Sequence, residues 1–170
     1  METALTPMEF SRRAKNLYAD REAVVDGDLR FSYAEFLERC DRWSNALQKL
    51  GVKQGDRVAY IAPNTHSHLE GYYAVPQIGA VLVPINYRLQ SSDFEYILNH
   101  CGAKIVCAHP DYMDAVDEIR GQLNSIESFV ALEGSREGWL EYETALQAHD
   151  PDFQSVSIDE SDLITINYTS

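Results

Sequence analysis

Short apolar runs alternate with longer stretches of helical period along most of this chain, and few folds accept that alternation. "RVAYIA" (57–62), "AVLVPI" (80–85), "AKIVCA" (103–108) and "SFVAL" (128–132) are such runs. Each is separated from the next by ten or more residues with helical patterning. Strands spaced this way are joined by crossovers and lie parallel, with the helices packed on the sheet. "RVAYIA" and "AKIVCA" are mostly continuous apolar runs rather than strict alternations. That pattern suits strands covered on both faces. The expected fold class is α/β, a parallel sheet flanked by helices with a small amino-terminal hairpin element.

Punctuation residues refine the reading. Thr6, Pro7 and Glu9 announce a first helix with a capping box, and Phe10, Ala14, Leu17 and Tyr18 then share one face. In "AVVDGDLRFS", two β-prone runs flank Asp26, Gly27 and Asp28, which reads as a hairpin with the aspartates as turn residues. Ser32 and Glu35 form a second capping box before a helix carrying Phe36, Cys40, Trp43, Leu47 and Leu50, ended by Gly51. Further helices are expected near 65–79, interrupted by Pro76 and ended by Gly79, and near 93–101, 112–123 and 139–148. A polar crossing over 149–161 leads to a closing strand, "LITINY". Two parts are expected: residues 1–31, helix and hairpin, and residues 32–170, the α/β unit.

The chain carries 27 acidic and 14 basic side chains, a formal charge of -13. A scattered negative surface of that size disfavours nucleic acid and anionic membranes and favours solubility. No apolar run approaches the roughly 20 residues that span a bilayer. Cys40, Cys101 and Cys107 form an odd set without metal-ligand spacing, and no leader pattern precedes them. Packing roles and a cytoplasmic location are expected.

Several residue pairs invite a functional reading. His66 and His68 stand two apart, a spacing that does not share a helix face, so a surface role at a helix start is favoured over a metal pair. Asn64 is read as the cap of that helix and Tyr72–Tyr73 as core. Thr169 and Ser170 follow the closing strand, where ligands of open α/β sheets bind. Their hydroxyls could ligate a phosphate, although such a pair after a strand is common.

Taken together, "FSYAEF", "AYIAPNTHSHLEGYYAVPQIGAVLVPINYRL", "FEYILNHCGAK" and "LITINYTS" resemble the amino-terminal portion of the adenylate-forming enzymes, specifically the acyl-CoA synthetases. Asn86-Tyr87-Arg88-Leu89 resembles fatty-acyl and aryl ligases more than peptide synthetase domains, which usually carry Asp-Pro there. The family's phosphate loop reads Tyr/Phe-Thr-Ser-Gly-Thr/Ser-Thr-Gly-x-Pro-Lys-Gly, of which Tyr168, Thr169 and Ser170 are present. The resemblance therefore implies a partial amino-terminal domain, cut inside its nucleotide loop. For the parent enzyme it implies ATP, Mg2+ and CoA, a fatty or aryl carboxylic acid substrate, and Thr169 and Ser170 as nucleotide-binding residues. It assigns no catalytic or metal-ligating residue within the chain. The fragment itself is expected to be inactive and to bind no cofactor tightly, with self-association or the remainder of the same polypeptide as possible partners. The alternatives are a non-catalytic association module and, more weakly, an NAD-type nucleotide binder, against which the lack of G-x-G-x-x-G argues.

Overall fold

A computed structural model describes residues 5–169. Five strands form an all-parallel sheet in the order β4-β3-β5-β6-β7, and a separate antiparallel pair, β1-β2, makes the hairpin. The elements run α1 (Pro7–Tyr18), β1 (Glu22–Asp26), β2 (Leu29–Ser32), α2 (Tyr33–Lys49), β3 (Arg57–Ile61) and α3 (His66–Ala74). They continue with β4 (Val81–Ile85), α4 (Ser91–Cys101), β5 (Ala103–Ala108), α5 (Pro110–Glu118), β6 (Ser128–Ala131), β7 (Leu140–Glu141) and α6 (Tyr142–Gln147).

Side chains alternate across the sheet and feed two cores. Val58 and Tyr60 of β3 face α2, α3 and α6, where Phe36, Trp43, Leu47, Ala74 and Leu146 are buried. Ala59 and Ile61 face the other way, toward Phe94, Ile97 and Leu98 of α4 and Met113 and Val116 of α5. Continuous apolar strands are thus explained by two covered faces. Within the first core the Trp43 indole N–H donates to the Tyr60 hydroxyl at 2.7 Å, so neither buried polar tip lacks a partner.

The second predicted capping box forms. Ser32 Oγ accepts from the Glu35 backbone N–H, and the Glu35 carboxylate accepts from the Ser32 N–H at 2.8 Å. The first does not: Thr6 occupies the cap position of α1 without a side-chain hydrogen bond, because Glu9 turns to Arg12 at 2.5 Å. Pro76 divides the third helical stretch as expected. α3 stops at Ala74, one turn of 3-10 helix follows over Pro76–Ile78, and Gly79 closes it at φ 74°. The helix expected from Trp139 instead opens with β7, whose two residues pair with Val130 and Ala131 of β6.

The closing strand also differs from expectation. "LITINY" makes one isolated parallel bridge, Thr165 to Leu82. Leu82 donates its N–H to Ile164 O at 3.0 Å and accepts from Ile166 N–H at 2.9 Å. Residues 81, 83 and 85 turn their backbone groups toward β3, as the bond from Val81 N–H to Asp56 O illustrates. The next outward position is Pro84, which has no N–H to offer, so the ladder stops after one rung.

Candidate functional site

The segment that carries the predicted phosphate-binding hydroxyls is held from two sides. Its backbone hangs on Leu82, and Ile166 and Tyr168 pack against the α4–α5 core. The Tyr168 hydroxyl lies 2.7 Å from His100 Nδ1, and its ring meets that of His100 edge-on. Tyr168 is therefore an anchor, and its packing role is clear. Thr165 and Asn167 alternate to the opposite side, where they line a mostly apolar groove of about 480 Å3 with Pro7, Leu69, Tyr72, Tyr73 and Leu82.

Thr169 follows this anchor and is exposed. Ser170 lies outside the described residues. An exposed hydroxyl on a fixed segment can donate to or accept from a phosphate, which suits a nucleotide ligand. A complete cradle also needs glycine N–H groups and a lysine. Among the described residues no group of three His, Cys, Asp or Glu side chains is placed to hold a metal ion.

The densest polar chemistry lies elsewhere, where α2, α3, α6 and the hairpin meet. Glu70 of α3 is fully buried, and Arg39 of α2 grips it through Nε at 2.5 Å and Nη2 at 3.3 Å. Tyr142 of α6 donates its hydroxyl to the same carboxylate. Arg39 extends to Glu143 of α6, with Nη1 at 3.1 Å. Burial pushes the Glu70 carboxyl above its ordinary value, and the bonds from Arg39 and Tyr142 oppose that rise. Glu143 is held down at about 2, first by His66 and, against the cost of burial, by Arg39.

Both histidines prove to be buried, correcting the surface role expected for them. Asp26, at the end of β1, accepts from the His66 backbone N–H at 2.8 Å and sits 2.7 Å from its Nδ1. A residue read as part of a turn thus also satisfies the first N–H of α3. The cap of α3 is Thr65, whose hydroxyl accepts from His68 N–H, and Asn64 instead lines a neighbouring cleft. The His68 ring stacks between Tyr60 and Tyr72, with centroids 5.3 and 5.2 Å away. Its Nδ1 donates to the Pro63 carbonyl at 3.2 Å, leaving Nε2 buried without a partner among the described residues. Burial lowers the basicity of this ring. Sequence reasoning missed the whole network. Glu70, an acid inside the apolar stretch "HLEGYYAV", was the visible signal.

The sequence profile of the AMP-binding enzyme family matches residues 10–170. The chain belongs to that family. Its similarity to individual AMP-binding enzymes is broad. It is 40% identical over 151 residues to a long-chain-fatty-acid–CoA ligase of Thermus thermophilus, covering 86% of this chain and 28% of the relative. It is 34% identical over 183 residues to a peroxisomal benzoate–CoA ligase of Arabidopsis thaliana, covering 98% and 31%. Among solved structures, an anthranilate CoA ligase in complex with anthranoyl-AMP superposes with a TM-score of 0.94 at 23% identity, over all of this chain and 33% of that one, a likeness of fold. A Mycobacterium tuberculosis fatty acyl CoA synthetase gives 0.86 at 27% identity, over 95% and 32%. This member of the family therefore spans about a third of the length of the relatives it matches.

Proposed function

We propose that the chain is the amino-terminal part of an ATP-dependent acyl-CoA synthetase of the cytoplasm. In the whole enzyme a fatty or aryl carboxylate attacks the α-phosphorus of ATP, giving an acyl-adenylate and pyrophosphate. The CoA thiol then displaces AMP to form the thioester. The reading is carried by the anchored Tyr168-Thr169 segment ending in "YTS", in a chain whose relatives are CoA ligases. Thr169 and Ser170 serve as early hydroxyls of the phosphate cradle. Electrostatic stabilisation by donors aimed at the phosphates dominates this chemistry. The α1–hairpin part, residues 1–31, is proposed to brace the α/β unit of residues 32–170, and it supplies no reacting group.

The test uses the full-length protein, with carboxylate-dependent exchange of pyrophosphate into ATP as the readout. Thr169→Ala and Ser170→Ala should each lower the exchange rate on the order of ten- to a thousand-fold, the scale of losing one aimed donor. Unchanged exchange in both variants would remove these hydroxyls from the cradle. The 170-residue chain alone, without the loop's glycines and lysine, should form no acyl-adenylate, and ordinary ligation by it would overturn that expectation. A second reading, a non-catalytic association module, is favoured by the apolar groove with its exposed Leu69 and Tyr72. It predicts a concentration-dependent dimer in sedimentation velocity and no exchange activity in the full-length protein.

A further inference from the structure

His66 occupies a position that the proposed ligase chemistry does not use. Its ring is buried and touches three elements besides its own helix. From β1, Asp26 approaches Nδ1 at 2.7 Å. From α6, the Glu143 Oε1 atom lies 3.6 Å from Nε2, outside hydrogen-bond range yet well within the reach of charge. From β2, the Phe31 ring lies 5.8 Å away, centroid to centroid. Two more charged groups act on the ring: Glu70 of α3 adds negative potential and Arg39 of α2 opposes it.

We propose that His66 is a pH-operated clasp that fastens the β1–β2 hairpin, through Asp26, to α6, through Glu143, while the ring is an imidazolium, and that lets the α6 side go when the ring loses its proton. The donor count supports this. An imidazolium has N–H groups at both nitrogens and can serve both carboxylates. The neutral ring has one N–H, which the short Asp26 contact retains, and it turns a lone pair at Nε2 toward the Glu143 carboxylate. Attraction on that side then becomes repulsion. The surroundings favour the charged ring: Glu143 contributes most, burial opposes it, and Asp26 and Glu70 add to it.

The direction of the pH effect follows. A histidine whose folded value lies above its unfolded value of about 6.5 stabilises the fold fully below that pH and loses its contribution as pH rises through the folded value. The clasp is therefore closed in mild acid and opens on the alkaline side of about 6.5.

The experiment is a pH titration of the 170-residue chain by NMR, following the imidazole 13C–1H signals, with His66→Gln assigning the peak. Amide-exchange protection of residues 22–32 and 142–147 is measured in parallel. In the unaltered chain His66 should titrate above about 6.5. Protection in 142–147 should fall across that step, by up to tenfold for each unit by which the midpoint exceeds the unfolded value, while residues 22–32, still held through Asp26, change less and Ile97 and Leu98 on the far face stay level. Asp26→Asn and Glu143→Gln should each lower the midpoint, and His66→Gln should abolish the step. A midpoint at or below about 6.5, level protection of 142–147 through the titration, or a step that survives in His66→Gln would each overturn the clasp. The unaltered chain alone supplies the first two outcomes, so the proposal remains open to refutation even where a variant fails to fold.

Discussion

At the scale of single residues, Arg39 and Glu70 form a buried pair whose halves cannot be removed singly without cost. A buried ion pair gains little over a well-packed apolar pair, but removing one partner strands the other charge. Arg39→Met should cost about 3–5 kcal/mol in equilibrium urea unfolding. Arg39→Met combined with Glu70→Leu should restore most of that loss, since no charge is then left buried. A double variant as unstable as Arg39→Met would show that the cost comes from packing. Gly71 poses a steric case: a Cβ there would lie 2.6 Å from Tyr60 Cζ, on a ring fixed by Trp43. Gly71→Ala should destabilise by about 1–3 kcal/mol through overpacking, although alanine is the better helix former. A neutral or stabilising effect in the same assay would mean that the Tyr60 ring yields.

At the scale of elements, the two capping signatures separate what sequence can and cannot reveal. Ser32 with Glu35 and Thr6 with Glu9 look alike as strings, but only the first pair closes its box, because Glu9 has Arg12 within reach. Ser32→Ala should cost about 1 kcal/mol, and Thr6→Ala less than about 0.5 kcal/mol, in thermal or urea melts. Strand identities were legible because both faces of the sheet are covered, so periodicity and continuity agree. The two-residue β7 was not, being too short to show a pattern. Nor was the single rung of the closing segment, which depends on a proline in another strand. Asn64 and Thr65 are adjacent and both able to cap, and the choice fell to Thr65, whose hydroxyl reaches His68 N–H. The candidate hydroxyls were legible only through family resemblance, while the His66 network depends on Asp26 and Glu143, 40 and 77 positions away along the chain. Pro84→Val would return the missing N–H to the outer edge of β4. It should extend the ladder toward Tyr168, seen as added exchange protection at residue 84 and slower exchange at residues 166–168. Unchanged exchange there would assign the stop to another cause.

At the scale of the whole molecule, two carboxylates of one network pull acid stability in opposite directions. Glu143 is held far below its ordinary 4.5, so its contribution is present above that pH and is lost as pH falls toward about 2. Glu70 is raised, so its ionisation costs stability as pH rises through its folded value. Glu143→Gln should therefore flatten the fall in urea midpoint between about pH 4.5 and 2, while Glu70→Gln should leave that limb in place. If Glu143→Gln kept the full acid slope, other carboxylates would have to carry it.

Every strand of the five-stranded sheet and nearly all of both cores fall between residues 24 and 146. The segment after the 149–161 crossing joins them through one rung and a few side-chain contacts. During synthesis, the sheet can thus close while those later residues are still inside the ribosome. Until that segment docks, the outer edge of β4 is unpaired, and Pro84 interrupts its row of donors, which is how open sheet edges are blunted against added strands.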